Sequence, residues 1–112
     1  MSVRSRGIVL ALLIAALAPA ISAEPEFLIV IKNHQFIPAE LRIPAGVKVQ
    51  IVVDNQDDAP EEFESYSLNR EKHIPPKAKV TLFLGPLDPG RYPFEGESHG
   101  VAGMAQGIVI VK

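Results

Sequence analysis

The side chains with the clearest capacity for chemistry lie near the C-terminal end of this chain. Glu95, Glu97 and His99 follow one another at a spacing of two residues. Residues two apart in an extended segment point to the same side, so this spacing predicts two carboxylates and an imidazole with a shared direction. Carboxylate and imidazole together suit Cu(II), iron or zinc. A metal site is therefore the first function that the segment suggests.

Three further side chains complete the set of candidate ligands. His34 follows an apolar segment, Glu62 lies in an acidic stretch, and Met104 comes after His99 with four residues between them. The chain contains no cysteine. Because a blue-copper centre requires a thiolate, this ligand set predicts a site without one, which would hold Cu(I) poorly.

Each candidate also has an interpretation without metal. A glutamate-rich stretch is commonly a solvated face. His34, and more clearly His73 in a charged segment, can be surface histidines. Met104 can fill a gap in the core. The residue types alone leave these alternatives open.

The N-terminal segment predicts export. Arg4 and Arg6 precede an apolar run at residues 7–17, and small residues lead up to Ala23. This is the pattern of a secretory signal peptide, so we expect residues 1–23 to be a leader and 24–112 the mature domain. The apolar run is shorter than the roughly 20 residues of a membrane span. An uncleaved anchor is the alternative; after cleavage we expect no stable membrane insertion.

The charge of the chain disfavours nucleic acid as a partner. The formal charge is −2, and loss of the two leader arginines lowers it to −4. A mildly acidic domain offers no basic patch for phosphates. It suits a protein that handles cations.

The elements that must position these side chains read as short strands separated by Pro and Gly. Residues 61–69 are ambiguous, and a short helical turn is one interpretation of them. Residues 70–74 are expected to form an edge strand. The pattern predicts an all-β, antiparallel Greek-key sandwich of about seven strands. The other expected strands are residues 27–32, 36–43, 47–53, 79–84, 91–94 and 106–111, the last a central strand.

The order of motifs resembles the cupredoxin superfamily over nearly the whole mature domain. The motifs are Phe36-x-Pro38, Pro44-Ala45-Gly46, Asn55-x-Asp57, Leu87-x-Pro89-Gly90-x-Tyr92-x-Phe94 and Gly107-Ile108-Val109-Ile110-Val111. The resemblance implies a cupredoxin-like sandwich in which His99 and Met104 occupy the metal corner. The position of the usual thiolate falls near Gly96.

One branch of this superfamily is more similar to the chain than the blue-copper proteins are. The stretch from Pro60 to Ser65, followed by Arg70-Glu71-Lys72, is similar to the small periplasmic cupredoxin-like proteins found with high-affinity iron permeases. That branch carries Glu where other cupredoxins carry their first His. The resemblance implies a periplasmic protein that binds copper, or iron, as an accessory of iron uptake. Its partner would be a membrane iron permease or another envelope protein.

Two other functions remain as alternatives. The missing cysteine is consistent with a metal-free interaction module of an envelope complex. A ferrous iron oxidase is less favoured, because one small domain with one site offers no second electron acceptor. No Ser/His/Asp set or phosphate-binding Gly loop stands out, so we expect the protein not to be an enzyme.

Overall fold

The computed structural model describes residues 24–100 and 103–112, which form two packed sheets. The predicted leader at residues 1–23 lies outside the described residues. None of the described residues belongs to a helix long and apolar enough to cross a membrane. The nine strands within these ranges are β1 (Glu26–Lys32), β2 (Gln35–Ile37), β3 (Glu40–Ile43), β4 (Val49–Asn55), β5 (Glu61–Ser65), β6 (Arg70–Ile74), β7 (Lys79–Leu84), β8 (Gly90–Ser98) and β9 (Met104–Val111).

The predicted all-β sandwich is confirmed. One sheet has the order β2-β1-β4-β7 and the other β3-β9-β8-β5-β6. Both sheets are mixed rather than wholly antiparallel, because β1 pairs with β4, and β3 with β9, in parallel. As predicted, β6 is an edge strand and β9 lies inside its sheet. The ambiguous segment at residues 61–69, for which a helical turn was one interpretation, forms β5 and then a turn at residues 66–69.

The strand count exceeds seven partly because the predicted strand at residues 36–43 is divided. Pro38 and Ala39 separate β2, which pairs with β1, from β3, which pairs with β9. Proline has no N–H to give to a ladder, so a strand interrupted there can pass from one sheet to the other.

The core lies between the sheets and follows the alternation of the strands. Along β4, Val49, Ile51 and Val53 are fully buried, while the residues between them are partly exposed. Phe63 and Phe94 stack on the opposite sheet with ring centroids 4.7 Å apart. Burial of each such side chain stabilises the fold by about 1.5–3 kcal/mol, so this core fixes which residues of β4, β5 and β8 face inward.

Three segments that carry polar side chains meet at one end of the sandwich. Strands β1 and β4 run in parallel with Ile31 beside Asn55, so they end at the same edge. The turn at Asn33 and His34 follows β1, with φ of 52° and 59°. Positive φ at both positions is what a tight two-residue hairpin requires. The start of β5 and the end of β8 reach the same end.

Candidate metal centre

A buried carboxylate, Glu61, lies at the centre of this end of the molecule. Glu61 is the first residue of β5, and only 3% of it is exposed. Phe63 and Ser65 of the same strand are also buried, so alternation turns all three toward the interior. A buried carboxylate is costly unless it is hydrogen-bonded or paired with a cation.

Two imidazole rings converge on this carboxylate. His34 Nδ1 lies 2.7 Å from Glu61 Oε1, and His99 Nε2 lies 2.9 Å from Glu61 Oε2. An ionised carboxylate only accepts hydrogen bonds, so each ring donates an N–H to one oxygen. The ring centroids are 3.6 Å apart. The His34 side chain is 36% exposed and that of His99 20% exposed, so the cluster is open to solvent on the histidine side.

Asp57 fixes the turn that carries His34. Its carboxylate accepts the backbone N–H of Asn33 at 2.8 Å and that of His34 at 2.9 Å. Burial by itself would raise the pKa of Asp57, but these two N–H donors, together with a hydrogen bond to Glu61 and the charge of His34, hold that pKa below its usual value. The charged form of Asp57 therefore stabilises the left-handed turn.

Asn55 in turn fixes the loop that carries Asp57. Its side-chain Oδ1 accepts the backbone N–H of Asp57 at 2.9 Å. Its Nδ2 donates toward the carbonyls of Ala59, Ile74 and Pro75 at 2.9 to 3.2 Å. Asn55 is fully buried, so loss of this amide would leave several polar groups without partners.

His99 reaches the cluster because β8 ends before it. The pairing of β8 with β9 shifts register between Glu95 and Ser98, and the strand stops at Ser98. The backbone N–H of His99 then donates to the carbonyl of Gly103 at 3.4 Å. A register shift changes the face to which the following residues point. The expected shared direction of His99 with Glu95 and Glu97 is therefore not found.

The other predicted ligands lie elsewhere. Glu62, Glu95 and Glu97 occupy the alternate, outward-facing positions of β5 and β8. Met104 begins β9 opposite Ser98 and is 48% exposed. Of the six predicted ligands, the structure thus brings His34 and His99 together.

The residue that sequence reasoning passed over is Glu61, although it is adjacent to the chosen Glu62. The apolar residue Phe63 indicates in the sequence which of the two glutamates faces the core. If residues 61–65 are taken as a strand, its apolar side chain must face the core, and Glu61 must face the same way while Glu62 faces outward. Treating the segment as a helical turn removes that distinction.

Gly96, near which the usual cupredoxin thiolate position falls, has no room to spare for a side chain. A Cβ placed on Gly96 would lie 3.1 Å from the Phe36 ring and 3.3 Å from the carbonyl oxygen of Glu62. Phe36 is buried and packs edge-on against Phe94, 4.8 Å between centroids. The Phe36 ring and this carbonyl would have to shift slightly to admit a cysteine side chain.

A second polar group lies on the outer face of the same sheet. Glu62, Glu71 and His73 each offer a ligand atom, and these atoms lie within 4.8 Å of one another. Burial, together with the nearby carboxylates of Glu97 and Glu71, raises the pKa of Glu62 to about 7, against the opposing effect of His73.

The chemistry of the inner cluster follows from its donors. Two imidazoles and a carboxylate suit Cu(II), Zn(II) or Fe(II), whereas Cu(I) prefers sulfur ligands. The nitrogen atoms that now face Glu61 are also those through which the rings could bind a metal. Binding would release the N–H protons from these atoms and should weaken at low pH.

Comparison with known proteins identifies the family of the fold. A family model described as Cupredoxin-like domain matches residues 6–111. Uncharacterized protein RP394 of Rickettsia prowazekii (strain Madrid E) is 41% identical over 87 residues, which cover 78% of this chain and 68% of that protein.

Two solved structures are similar at low sequence identity. Auracyanin A, a "blue" copper protein from Chloroflexus aurantiacus, has a TM-score of 0.67 and 15% identity, over 80% of this chain and 100% of its own. The metal binding domain of the Cu(I) exporting P-type ATPase CopA of Streptococcus pneumoniae D39 has a TM-score of 0.62 and 17% identity, over 78% of this chain and 84% of its own. At these identities the likeness establishes the fold.

Proposed function

Because the chain belongs to the cupredoxin-like domain family, we propose that it is a metal-binding protein that holds Cu(II) through His34, Glu61 and His99. The observation that carries this proposal is the approach of two imidazole nitrogens, at 2.7 and 2.9 Å, to the two oxygens of one buried carboxylate. Bound copper would supply a Lewis-acidic, one-electron centre without thiolate colour.

The charge of the cluster supports a cationic ligand. Glu61 faces the interior beside the carboxylate of Asp57, which lies 3.7 Å from His34 Nδ1. Two acidic groups, of which Glu61 is buried, and two imidazoles favour a dication over an anion or a neutral ligand. The partly exposed histidine rings leave a path by which the ion can enter and leave.

The donor set also defines which ions should compete. Two histidines and one carboxylate are the ligands of many non-haem Fe(II) sites, so iron is the principal competitor of copper. The similarity of the acidic stretch to cupredoxin-like proteins found with iron permeases supports a role in iron uptake. In that role a membrane iron permease, or another envelope protein, would be the partner.

We assign the protein to the periplasm on the basis of the predicted leader, and to binding rather than catalysis. A small domain that holds copper at the inner cluster suits the transfer of an ion or an electron to another protein.

A metal-free interaction module is the second candidate, and one observation favours it. Each oxygen of Glu61 already has a donor from a histidine ring, and among the described residues no buried side-chain nitrogen or oxygen lacks a partner. The cluster is therefore satisfied as a purely structural network, in which the histidines stabilise the loop ends.

Titration with Cu(II), followed by electron paramagnetic resonance, separates the two candidates. We expect the wild-type protein to bind a first, tight equivalent with a tetragonal nitrogen and oxygen signal. His99→Ala should lose that signal, whereas the control His73→Ala, which removes an exposed imidazole, should retain it. Absence of the tight equivalent in the wild type would favour the metal-free module, whereas its survival in His99→Ala would show that copper binds elsewhere and would overturn the assigned ligands.

Competition between Cu(II) and Fe(II) at this site tests the proposed role in iron uptake. An accessory of iron uptake should bind Fe(II) under anaerobic conditions at the same residues. Copper binding without measurable Fe(II) binding would retain the metal-binding proposal and remove its direct link to iron.

A further inference from the structure

The outer face of the five-stranded sheet brings a second set of metal-ligating side chains together. Glu62 on β5 lies directly opposite His73 on β6, and Glu71 is one diagonal step away, opposite Glu64. One ligand atom from each of Glu62, Glu71 and His73 lies within 4.8 Å of the others. Successive residues of a strand face opposite sides, so Glu62 cannot share an ion with Glu61.

The charges on this face are not balanced by basic side chains. Within residues 24–100 and 103–112, none of Glu62, Glu71 and Glu97 forms an ion pair with lysine or arginine. The only ion pair there joins His73 Nε2 to Glu71 at 3.8 Å. Carboxylates held side by side on neighbouring strands repel one another, and a bound cation would remove that repulsion.

The imidazole indicates which kind of cation the face would take. Ca²⁺ and Mg²⁺ prefer sites made of oxygen ligands, often with several carboxylates. A histidine beside two carboxylates instead suits Zn²⁺ and similar transition-metal ions. The position of His73 directly across from Glu62 is therefore the feature that separates this group from an ordinary acidic surface.

We propose that Glu62, Glu71 and His73 form a second, outer metal site that takes a divalent transition-metal ion such as Zn²⁺. Glu71 is 61% and His73 76% exposed, so water would fill the remaining coordination positions and the ion would exchange readily with solution. Glu97 adds negative charge beside Glu62. This outer site does not depend on the function proposed for the inner cluster.

Zn²⁺ binding measured by isothermal titration calorimetry tests the proposal. We expect two equivalents in the wild-type protein and one in the double variant His34→Ala/His99→Ala. Adding His73→Ala to that double variant should remove the remaining equivalent. In the same background, Glu71→Gln should weaken binding by at least about tenfold, as loss of a metal-supporting group does.

Glu64→Gln is the matched control, because Glu64 lies on the same strand and face but outside the ligand group. It should change Zn²⁺ affinity in the double variant by less than about threefold, the scale of one screened surface charge. Circular dichroism verifies that each variant is folded.

The results also separate the two sites from each other. A double variant that binds no Zn²⁺, or equal weakening by Glu64→Gln and Glu71→Gln, would overturn the outer site. Loss of one equivalent in His73→Ala, with no loss in the double variant, would support the outer site and contradict the inner one.

Discussion

Two neighbouring residues, Glu61 and Glu62, occupy opposite environments on the same strand. Glu61 is buried and receives hydrogen bonds from two histidines. Glu62 lies on the outer face among carboxylates, where its pKa is raised to about 7, first by burial and then by Glu97 and Glu71. The same residue type is thus held in a network of donors on one side and beside like charges on the other. Strand alternation, rather than the density of acidic residues, therefore decides which carboxylate faces which cluster.

The largest expected effect comes from replacing each of these two glutamates by its amide. Glu61→Gln should weaken the tight Cu(II) equivalent by at least about 100-fold, because it removes an anionic ligand rather than a supporting group. Glu62→Gln should leave that equivalent within about threefold. Competition with a chromophoric copper chelator measures both values. Equal losses in the two variants would break the distinction between the faces.

A second pair of neighbours extends the comparison to stability. Asn55 is buried and bonded to four backbone groups, whereas Asp54 faces outward and contacts Gln56 at 3.3 Å. Asn55→Ala should lower the free energy of unfolding by about 2–4 kcal/mol, because it leaves buried groups unpaired. Asp54→Ala should change it by less than about 0.5 kcal/mol. Urea denaturation measures both, and a small effect at Asn55 would contradict its role in holding the loop.

Gly96→Cys tests whether the inner face could accept the missing thiolate. We expect no intense blue colour on addition of Cu(II), because Phe36 and the Glu62 carbonyl already contact the position of the new side chain. Overpacking should destabilise the protein by about 1–3 kcal/mol. Visible absorption and urea denaturation provide the two readouts. A stable variant with a strong charge-transfer band would show that only the cysteine had been missing.

The smallest effect concerns the pH dependence of Glu62. Its folded pKa is above the usual value of 4.5, so the native state binds more protons than the unfolded state between these values. Stability should therefore fall as pH rises from about 4.5 to about 7. As pH rises through this range, the stability of Glu62→Gln should increase relative to that of the wild type. Above about pH 7 the difference in stability should remain constant. Thermal unfolding at several pH values without metal measures the difference, and an unchanged gap would contradict the raised pKa.

Much of the fold was accessible from the sequence because its strands alternate regularly. The pattern at residues 47–53 and the apolar run at 108–111 predicted β4 and β9, and the spacing of Pro and Gly predicted a sandwich. The parallel pairings were not accessible, since they depend on which strands become neighbours in space. The division at Pro38 had a local signal in the missing N–H of proline, but the change of sheet did not.

The candidate site was predicted less completely than the fold. His34 and His99 were among the candidates on chemical grounds, but their meeting depends on a left-handed turn and a register shift that residue types do not specify. Glu61 could have been found from Phe63 by alternation. The expectation for Glu95 and Glu97 assumed that the strand continues through His99, whereas it ends at Ser98.

A crystal structure of the protein with Cu(II), with anomalous data collected at the copper edge, would locate the copper that we assign to the inner cluster. We expect the strongest anomalous peak between His34, Glu61 and His99, and a weaker peak, if any, beside Glu62 and His73. A strongest peak on the outer face, or none near Glu61 at full copper loading, would contradict this assignment.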